Sequence, residues 1–238
     1  MPPIDVDDPA TWPEASRSWA DVRAERQRAD VEYTNDLEVA LDEEDDFRAT
    51  FGLRRLIAYH CTRLTRQEVD RPRRGGLQPL DEDLTRRRIL AASEEDALSE
   101  AAYHFASTRN IYARRNTSHR EHQVCFVIGR SAFDDEPWGL HPLLAHWGGE
   151  AMRGGPDDAP PLESVGNPAV VVAQLDLAGP HTRHLTFPSL GKLFVGRLLG
   201  TTNLSASVHY RAPVDGNDIL DVWQPGHPRY DRHQGLPR

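Results

Sequence analysis

The sequence predicts an α+β protein, and three observations predict it. Residues 53–64, 123–130 and 169–177 are short apolar or β-branched runs with the length and content of buried strands. The helical stretches, 14–46 and 81–98, do not alternate regularly with them, which argues against a doubly wound sheet. The chain has 238 residues, 38% hydrophobic and 27% charged, enough to bury one globular core.

The elements follow in order. Over 14–46, Trp19, Val22, Val31, Leu37, Val39 and Leu41 are apolar points in a polar background, and the run Asp42-Glu43-Glu44-Asp45-Asp46 interrupts the helix. In 53–64 the strand is carried by Leu56, Ile57, Ala58, Tyr59 and Cys61. Thr65 then opens a short helix, with Glu68 at capping-box spacing and Pro72 and Gly75-Gly76 as its end. Leu84, Ile89, Leu90 and Leu98 are the apolar points of 81–98. Five consecutive apolar residues make 123–130 the clearest buried strand. The stretch 131–168 reads as loops around one short helix, His141–Ala145. Residues 190–199 fit helix or strand. Residues 205–210 alternate like an edge strand, and Ile219–Trp223 is the last strand before an irregular tail. There is no repeat and no heptad.

Charge divides the chain. Residues 1–50 hold 15 Asp/Glu against 5 Arg, a net of −10, while the rest holds 22 acids against 23 bases. The expected organisation is an acidic, mostly helical arm over 1–50 and a single globular α+β domain over 51–238. The arm is expected to be solvated or to dock on a basic partner surface. No run reaches the ~20 apolar residues that span a bilayer, and the acidic, Pro-rich start is unlike a secretory signal. A cytoplasmic protein without membrane contact is therefore expected, with Cys61 and Cys125 as buried free thiols.

Four groups of residues could carry chemistry. On the strand, alternation places His60 and Thr62 on one face and Tyr59, Cys61 and Arg63 on the other. His146-Trp147-Gly148-Gly149-Glu150 combines a stacking ring, a backbone free to approach a ligand, and a carboxylate. Arg109, Arg114, Arg115, His119, Arg120 and His122, with Tyr103 and Tyr112 interleaved, suit phosphates and stacked bases. The pairs His119/His122 and His181/His184 continue into no known zinc spacing, so no metal is expected.

Tyr59-His60-Cys61-Thr62, followed by Gly76-Leu77, a middle aromatic (Tyr103 or Tyr112) and a late Glu150, resembles the ADP-ribosyltransferase superfamily over about residues 53–150. The resemblance implies split antiparallel sheets with flanking helices, and a bacterial, toxin-like transferase that cleaves the nicotinamide–ribose bond of NAD. It implies transfer of ADP-ribose to a protein, a nucleic acid or water. His60 would hold a ribose, Tyr112 or Trp147 would stack on nicotinamide, and Glu150 would contact the nicotinamide ribose, beside Tyr59, Thr62, Arg63, Gly148 and Gly149. The chain departs from the pattern where Cys61 follows the histidine and where Glu150 lies in a Gly-rich stretch. Two other readings use the same residues. One is a non-catalytic nucleotide- or nucleic-acid-binding module. The other is a metal-dependent hydrolase on His60, His119, His122 and His146.

Overall fold

Six strands hydrogen-bond into one sheet in a computed structural model that describes residues 1–29, 41–115, 120–134, 140–152, 161–177, 182–186, 190–201 and 204–237. They are β1 (Leu56–Leu64), β2 (Val124–Ile128), β3 (Asn167–Leu175), β4 (Thr182–Thr186), β5 (Ala206–Tyr210) and β6 (Ile219–Trp223), in the order β4-β5-β2-β1-β3-β6. β3 pairs antiparallel with β6, and β4 with β5, each with one register irregularity. With helices around it, this is a mixed α/β protein compatible with the α+β expectation. All six described strands belong to this one sheet, with β1 hydrogen-bonded between β2 and β3.

Central position explains β1. Its buried positions do not alternate: Leu56, Ala58, Tyr59, Cys61, Thr62 and Leu64 are all enclosed, as expected of a strand covered on both faces. β5 keeps the alternation seen in the sequence, yet lies inside the sheet between β4 and β2. Alternation reports one wetter face; it does not report a free edge.

The helices are α1 (Glu14–Ala29), α2 (Leu41–Ala49), α3 (Arg71–Gly75), α4 (Glu82–Glu94), α5 (Glu100–Arg109), α6 (His141–Ala145), α7 (Gly149–Met152) and α8 (Leu190–Leu198). The acidic run 42–46 continues α2 instead of interrupting a helix. Thr65 opens a turn, and α3 begins only at Arg71, with Pro72 inside its first turn, where a missing N–H costs nothing. The ambiguous 190–199 becomes helix, with Leu193, Phe194 and Val195 fully buried. α5 and β4 were not legible as elements.

By contact density the chain forms two units. The first comprises Met1–Ala58, Phe126–Ala132 and Gln174–Tyr210. Its centre is aromatic: Phe194 lies 4.3 Å from Trp12 and 4.8 Å from Phe47, centroid to centroid. Ile4 and Val6 are buried in it, so the start of the acidic segment carries core residues. Two of its acids meet arginines. Asp7 accepts from the Arg130 N–H at 2.8 Å and its Nε at 3.1 Å and pairs with Arg197, while Asp5 lies 3.3 Å from Arg130. Burial raises the Asp5 pKa, and Arg130 opposes that rise.

The second unit comprises Tyr59–Cys125, Phe133–Ala173 and Arg211–Arg238. Tyr59, Phe133 and Trp223 form one aromatic group, with Tyr59 5.0 Å from Phe133 and 5.5 Å from Trp223. A second cluster packs α4 and α5 against the 147–165 stretch through Ile89, Ala92, Ala102, Ala106, Trp147 and Leu162. Among the described residues no helix is long and apolar enough to cross a membrane.

Candidate functional site

Three of the residues that the sequence nominates on β1, His60, Thr62 and Arg63, make hydrogen bonds within the second unit. His60 is partly buried, and its Nδ1 lies 2.9 Å from the Cys125 carbonyl. A carbonyl only accepts, so Nδ1 carries the proton and Nε2 is the acceptor nitrogen. Burial holds the imidazole pKa below its ordinary value; the Cys125 carbonyl acts the other way and the Arg88 charge adds to the fall. His60 is thus neutral near pH 7. Thr62 is 6% exposed, and its hydroxyl donates to the Arg63 carbonyl at 3.3 Å. The Arg63 guanidinium donates to three carbonyls: Nε to Val165 at 2.9 Å, Nη1 to Leu144 at 3.1 Å, and Nη2 to Gly166 at 2.6 Å. Gly166 has φ +62°, and a Cβ there would come within 2.5 Å of the Leu64 carbonyl oxygen, so only glycine brings that backbone to Arg63. Arg63 fastens loops to the strand and presents no phosphate fork.

The Trp-Gly-Gly-Glu segment is a turn into α7. Gly148 and Gly149 have φ +79° and +52°, and a Cβ on Gly148 would overlap the Met152 side chain at 2.0 Å. Trp147 has no exposed surface; its indole N–H donates to Glu68 at 3.1 Å, and Arg88 lies 5.1 Å from its ring centroid. A ring enclosed on every side offers no stacking platform. Glu150 is the second residue of α7, and its side chain lies outside the described set. Glu163, the other late glutamate, is exposed, with a carboxylate oxygen 3.9 Å from His146 Nδ1.

Glu68 was read only as a helix cap, and it does more. Its Oε2 accepts from the Thr65 N–H at 3.0 Å and from Trp147, and its Oε1 accepts from Arg88 Nε at 2.7 Å. Burial alone would raise its pKa; the Arg88 charge and the three hydrogen bonds outweigh that and leave the carboxyl below its ordinary value. The Thr65-to-Glu68 spacing was the signal that could have found it.

The cysteines differ from each other. Cys61 is enclosed, and burial pushes its thiol pKa up. Cys125 is only half-buried, and Arg120 Nη1 lies 3.2 Å from its sulfur. A cation beside a partly exposed thiol favours the thiolate. Native alkylation followed by peptide mass spectrometry is therefore expected to modify Cys125 and spare Cys61. Equal labelling of both would contradict the placement of β1 at the centre of the sheet.

Two nominated residues, Tyr103 and Tyr112, meet an open space. A cavity of about 220 Å³ is lined by one face of α4 and by α5 with the turn that follows it. Glu82, Thr85, Arg86, Ile89 and Leu90 are at the i, i+3, i+4, i+7, i+8 positions of a single helical stripe. Asp81 fixes the start of that helix by accepting from the Leu84 N–H at 2.6 Å. Across the cavity, Tyr112 is positioned by Asn110, whose Oδ1 accepts from the Tyr112 and Ala113 N–H groups at 3.0 Å each. The Asn110 amide donates to the Ala106 and Ser107 carbonyls, so this buried residue is satisfied at both ends. Thr85 and Tyr112 are not: both hydroxyl oxygens are buried and neither has a protein hydrogen-bond partner. Leu90 and Tyr103, two of the few large apolar side chains exposed to solvent, are on the same lining.

Other candidates are not brought together. Arg109, Arg115 and His122 are exposed, and His119 and His181 lie outside the described residues. Among the described residues no group of three or more His, Cys, Asp or Glu side chains could hold a metal ion. Comparison with protein-family models, with curated proteins and with solved structures gives no match. Fold and site together define a mixed α/β protein with a six-stranded sheet and, among the described residues, a small cavity between α4 and α5.

Proposed function

We propose that the protein works by binding a compact small molecule in the cavity between α4 and α5. One observation carries the reading. Thr85, 3% exposed, and Tyr112 both line this cavity, and each buries a hydroxyl that no protein group satisfies. Such groups cost stability, and ligand atoms that complete their hydrogen bonds recover it. The volume lies below the ~300–1,000 Å³ of drug-sized sites, which sets the ligand's scale.

A second reading is the NAD-dependent ADP-ribosyltransferase-like enzyme, with a protein, nucleic acid or water as acceptor. It is favoured by Tyr112, one of the two aromatics, with Trp147, that the resemblance offers to nicotinamide, because this residue lines the cavity. That space suits a nicotinamide ring and not a whole dinucleotide. In this reading His60 orients the ribose and Glu150 stabilises a cation-like ribose. Against it stand Thr62, Arg63 and Trp147, whose polar groups are bonded inside the unit.

One titration addresses both readings. Compact fragments and NAD are followed by saturation-transfer NMR against wild type, Tyr112→Phe, His60→Ala and Glu150→Gln, with nicotinamide release measured in parallel. Fragment signals that weaken in Tyr112→Phe support the cavity; signals unchanged in that variant remove it. Nicotinamide release lost in Glu150→Gln with NAD binding retained supports the transferase, and wild type that neither binds nor consumes NAD ends that reading.

A further inference from the structure

In the first unit, two arginines close on one carboxylate of the N-terminal segment. Asp7 Oδ2 accepts from the Arg130 N–H at 2.8 Å and from Arg130 Nε at 3.1 Å, and Oδ1 pairs with Arg197 Nη2. Arg130 is on the turn after β2 and Arg197 is on α8, so donors from two distant stretches meet at one group. Guanidinium N–H groups make short, strong hydrogen bonds to carboxylates and are the usual choice for recognising them. The place is largely enclosed, with the Asp7 side chain 11% and the Arg197 side chain 12% exposed.

Neither side of this contact depends on Asp7 to hold its position. Arg197 Nη1 donates to the Thr201 carbonyl at 3.2 Å and Nη2 to the Leu204 carbonyl at 3.3 Å. The Leu204 carbonyl also accepts from the Ser131 hydroxyl at 2.6 Å, which ties the residue after Arg130 to the same point. A Cβ on Gly129 would come within 2.9 Å of that carbonyl oxygen, so the approach needs glycine. The N-terminal segment is docked by other groups. The Ile4 N–H donates to the Arg55 carbonyl at 2.7 Å, and the Ile4 carbonyl accepts from the Ile57 N–H at 2.8 Å. Ile4, Val6 and Trp12 are buried, and the Asp5 N–H donates to the Thr11 hydroxyl at 2.9 Å. Asp7 is in a turn between buried Val6 and exposed Asp8, so its carboxylate can swing out while the segment stays in place.

From this arrangement we infer that Arg130 and Arg197 form a binding site for a small organic acid, and that Asp7 is a built-in competitor that holds the site shut. The enclosure limits the guest to a compact carboxylate. Charge sets its valence. Arg17 and Arg54 also grip the segment, through the carbonyls of Pro9, Pro2 and Thr11, so Arg17, Arg54, Arg130 and Arg197 meet Asp5, Asp7 and Asp8 there. With the Asp7 carboxylate turned out, the arginines outnumber the acids further and an anion is attracted. Asp5 stays 3.3 Å from Arg130 Nη2 and favours a singly charged guest over a dianion. The site is contained in the first unit and is independent of the cavity between α4 and α5.

The test is chemical rescue on the full chain. Asp7→Ala removes the carboxylate and leaves a space of its size. In sodium chloride the variant should melt roughly 10 °C below wild type, because two guanidiniums lose their partner. Replacing the chloride by sodium formate at equal ionic strength should restore about 3 °C or more. Formamide, which has the shape without the charge, should restore nothing, and phosphate should restore less than formate. By NMR titration formate should bind Asp7→Ala at least about tenfold tighter than wild type, since in wild type the internal carboxylate competes at high effective concentration. Adding Arg197→Ala to Asp7→Ala should abolish the formate effect. If Asp7→Ala does not fold in chloride, its refolding yield from urea in formate and in formamide makes the same comparison. Equal effects of formate and formamide, or a formate effect that survives Arg197→Ala, overturn the site. Phosphate rescuing better than formate overturns the ligand class. Formate binding wild type as tightly as the variant overturns the role of Asp7 as competitor.

Discussion

Glu68→Ala is expected to cost about 3–5 kcal/mol of folding stability, because it breaks a buried ion pair by removing one partner. The side chain is 8% exposed and is the only acceptor shown for three donors: the Thr65 N–H, the Trp147 indole and Arg88 Nε. Its loss leaves a guanidinium against the Trp147 ring without its carboxylate. Natural domains have only ~5–15 kcal/mol in total, so the variant should unfold at markedly lower denaturant or temperature. The pH dependence is signed. The folded-state pKa of Glu68 is depressed, so its contribution is present above the ordinary glutamate value, about 4.3, and is lost as pH falls through the lower folded value. Urea titrations of wild type and Glu68→Ala from neutral to acid pH should converge below that range. A constant gap between the two curves down to the lowest pH would show that the carboxylate's charge is not what stabilises the site.

Arg63→Ala should cost at least about 3 kcal/mol, since hydrogen bonds from charged donors are each worth ~1.5–3 kcal/mol and three are lost together. Burial already works against the charge, pulling the guanidinium pKa below its ordinary value, with Tyr230 and Glu163 opposing that fall. Arg63→Lys should recover only part of the loss, because one ammonium cannot reproduce a planar fork reaching Leu144, Val165 and Gly166 together. Chemical denaturation measures all three proteins. The NAD-binding role implied by the resemblance gives the opposite pattern: stability within a few tenths of a kcal/mol of wild type and a large loss of NAD affinity. That pattern would overturn the clamp.

These two residues show where reading a sequence stops. Residues 53–64 announce a strand through their own apolar content, and the structure has one at Leu56–Leu64. The partner of a polar residue on that strand is not in the local pattern. Arg63 reaches carbonyls 81 to 103 residues away, and Trp147 reaches a carboxylate 79 residues back. A histidine, a threonine and an arginine on one strand are therefore as compatible with a ligand as with the interior, until the chain is folded.

The sequence by itself determined what depends on neighbours in the chain. That includes the apolar strand cores, the alternation within 205–210, the short helix His141–Ala145, the Thr65–Glu68 pairing, and the need for glycine at 148 and 149. Their physics is local: β-propensity, burial period, capping and positive φ. Only the tertiary structure decided that β5 is interior, that 190–199 is a helix closing on Trp12 and Phe47, and that Leu90, one of the apolar points of 81–98, stands exposed beside a cavity. It also decided that two residues 27 positions apart, Thr85 and Tyr112, line one small space and each bury a hydroxyl without a partner. The reason is that burial and hydrogen-bond satisfaction belong to the packed chain: a helical stripe says which residues face inward together, and only what packs opposite says whether that face is filled.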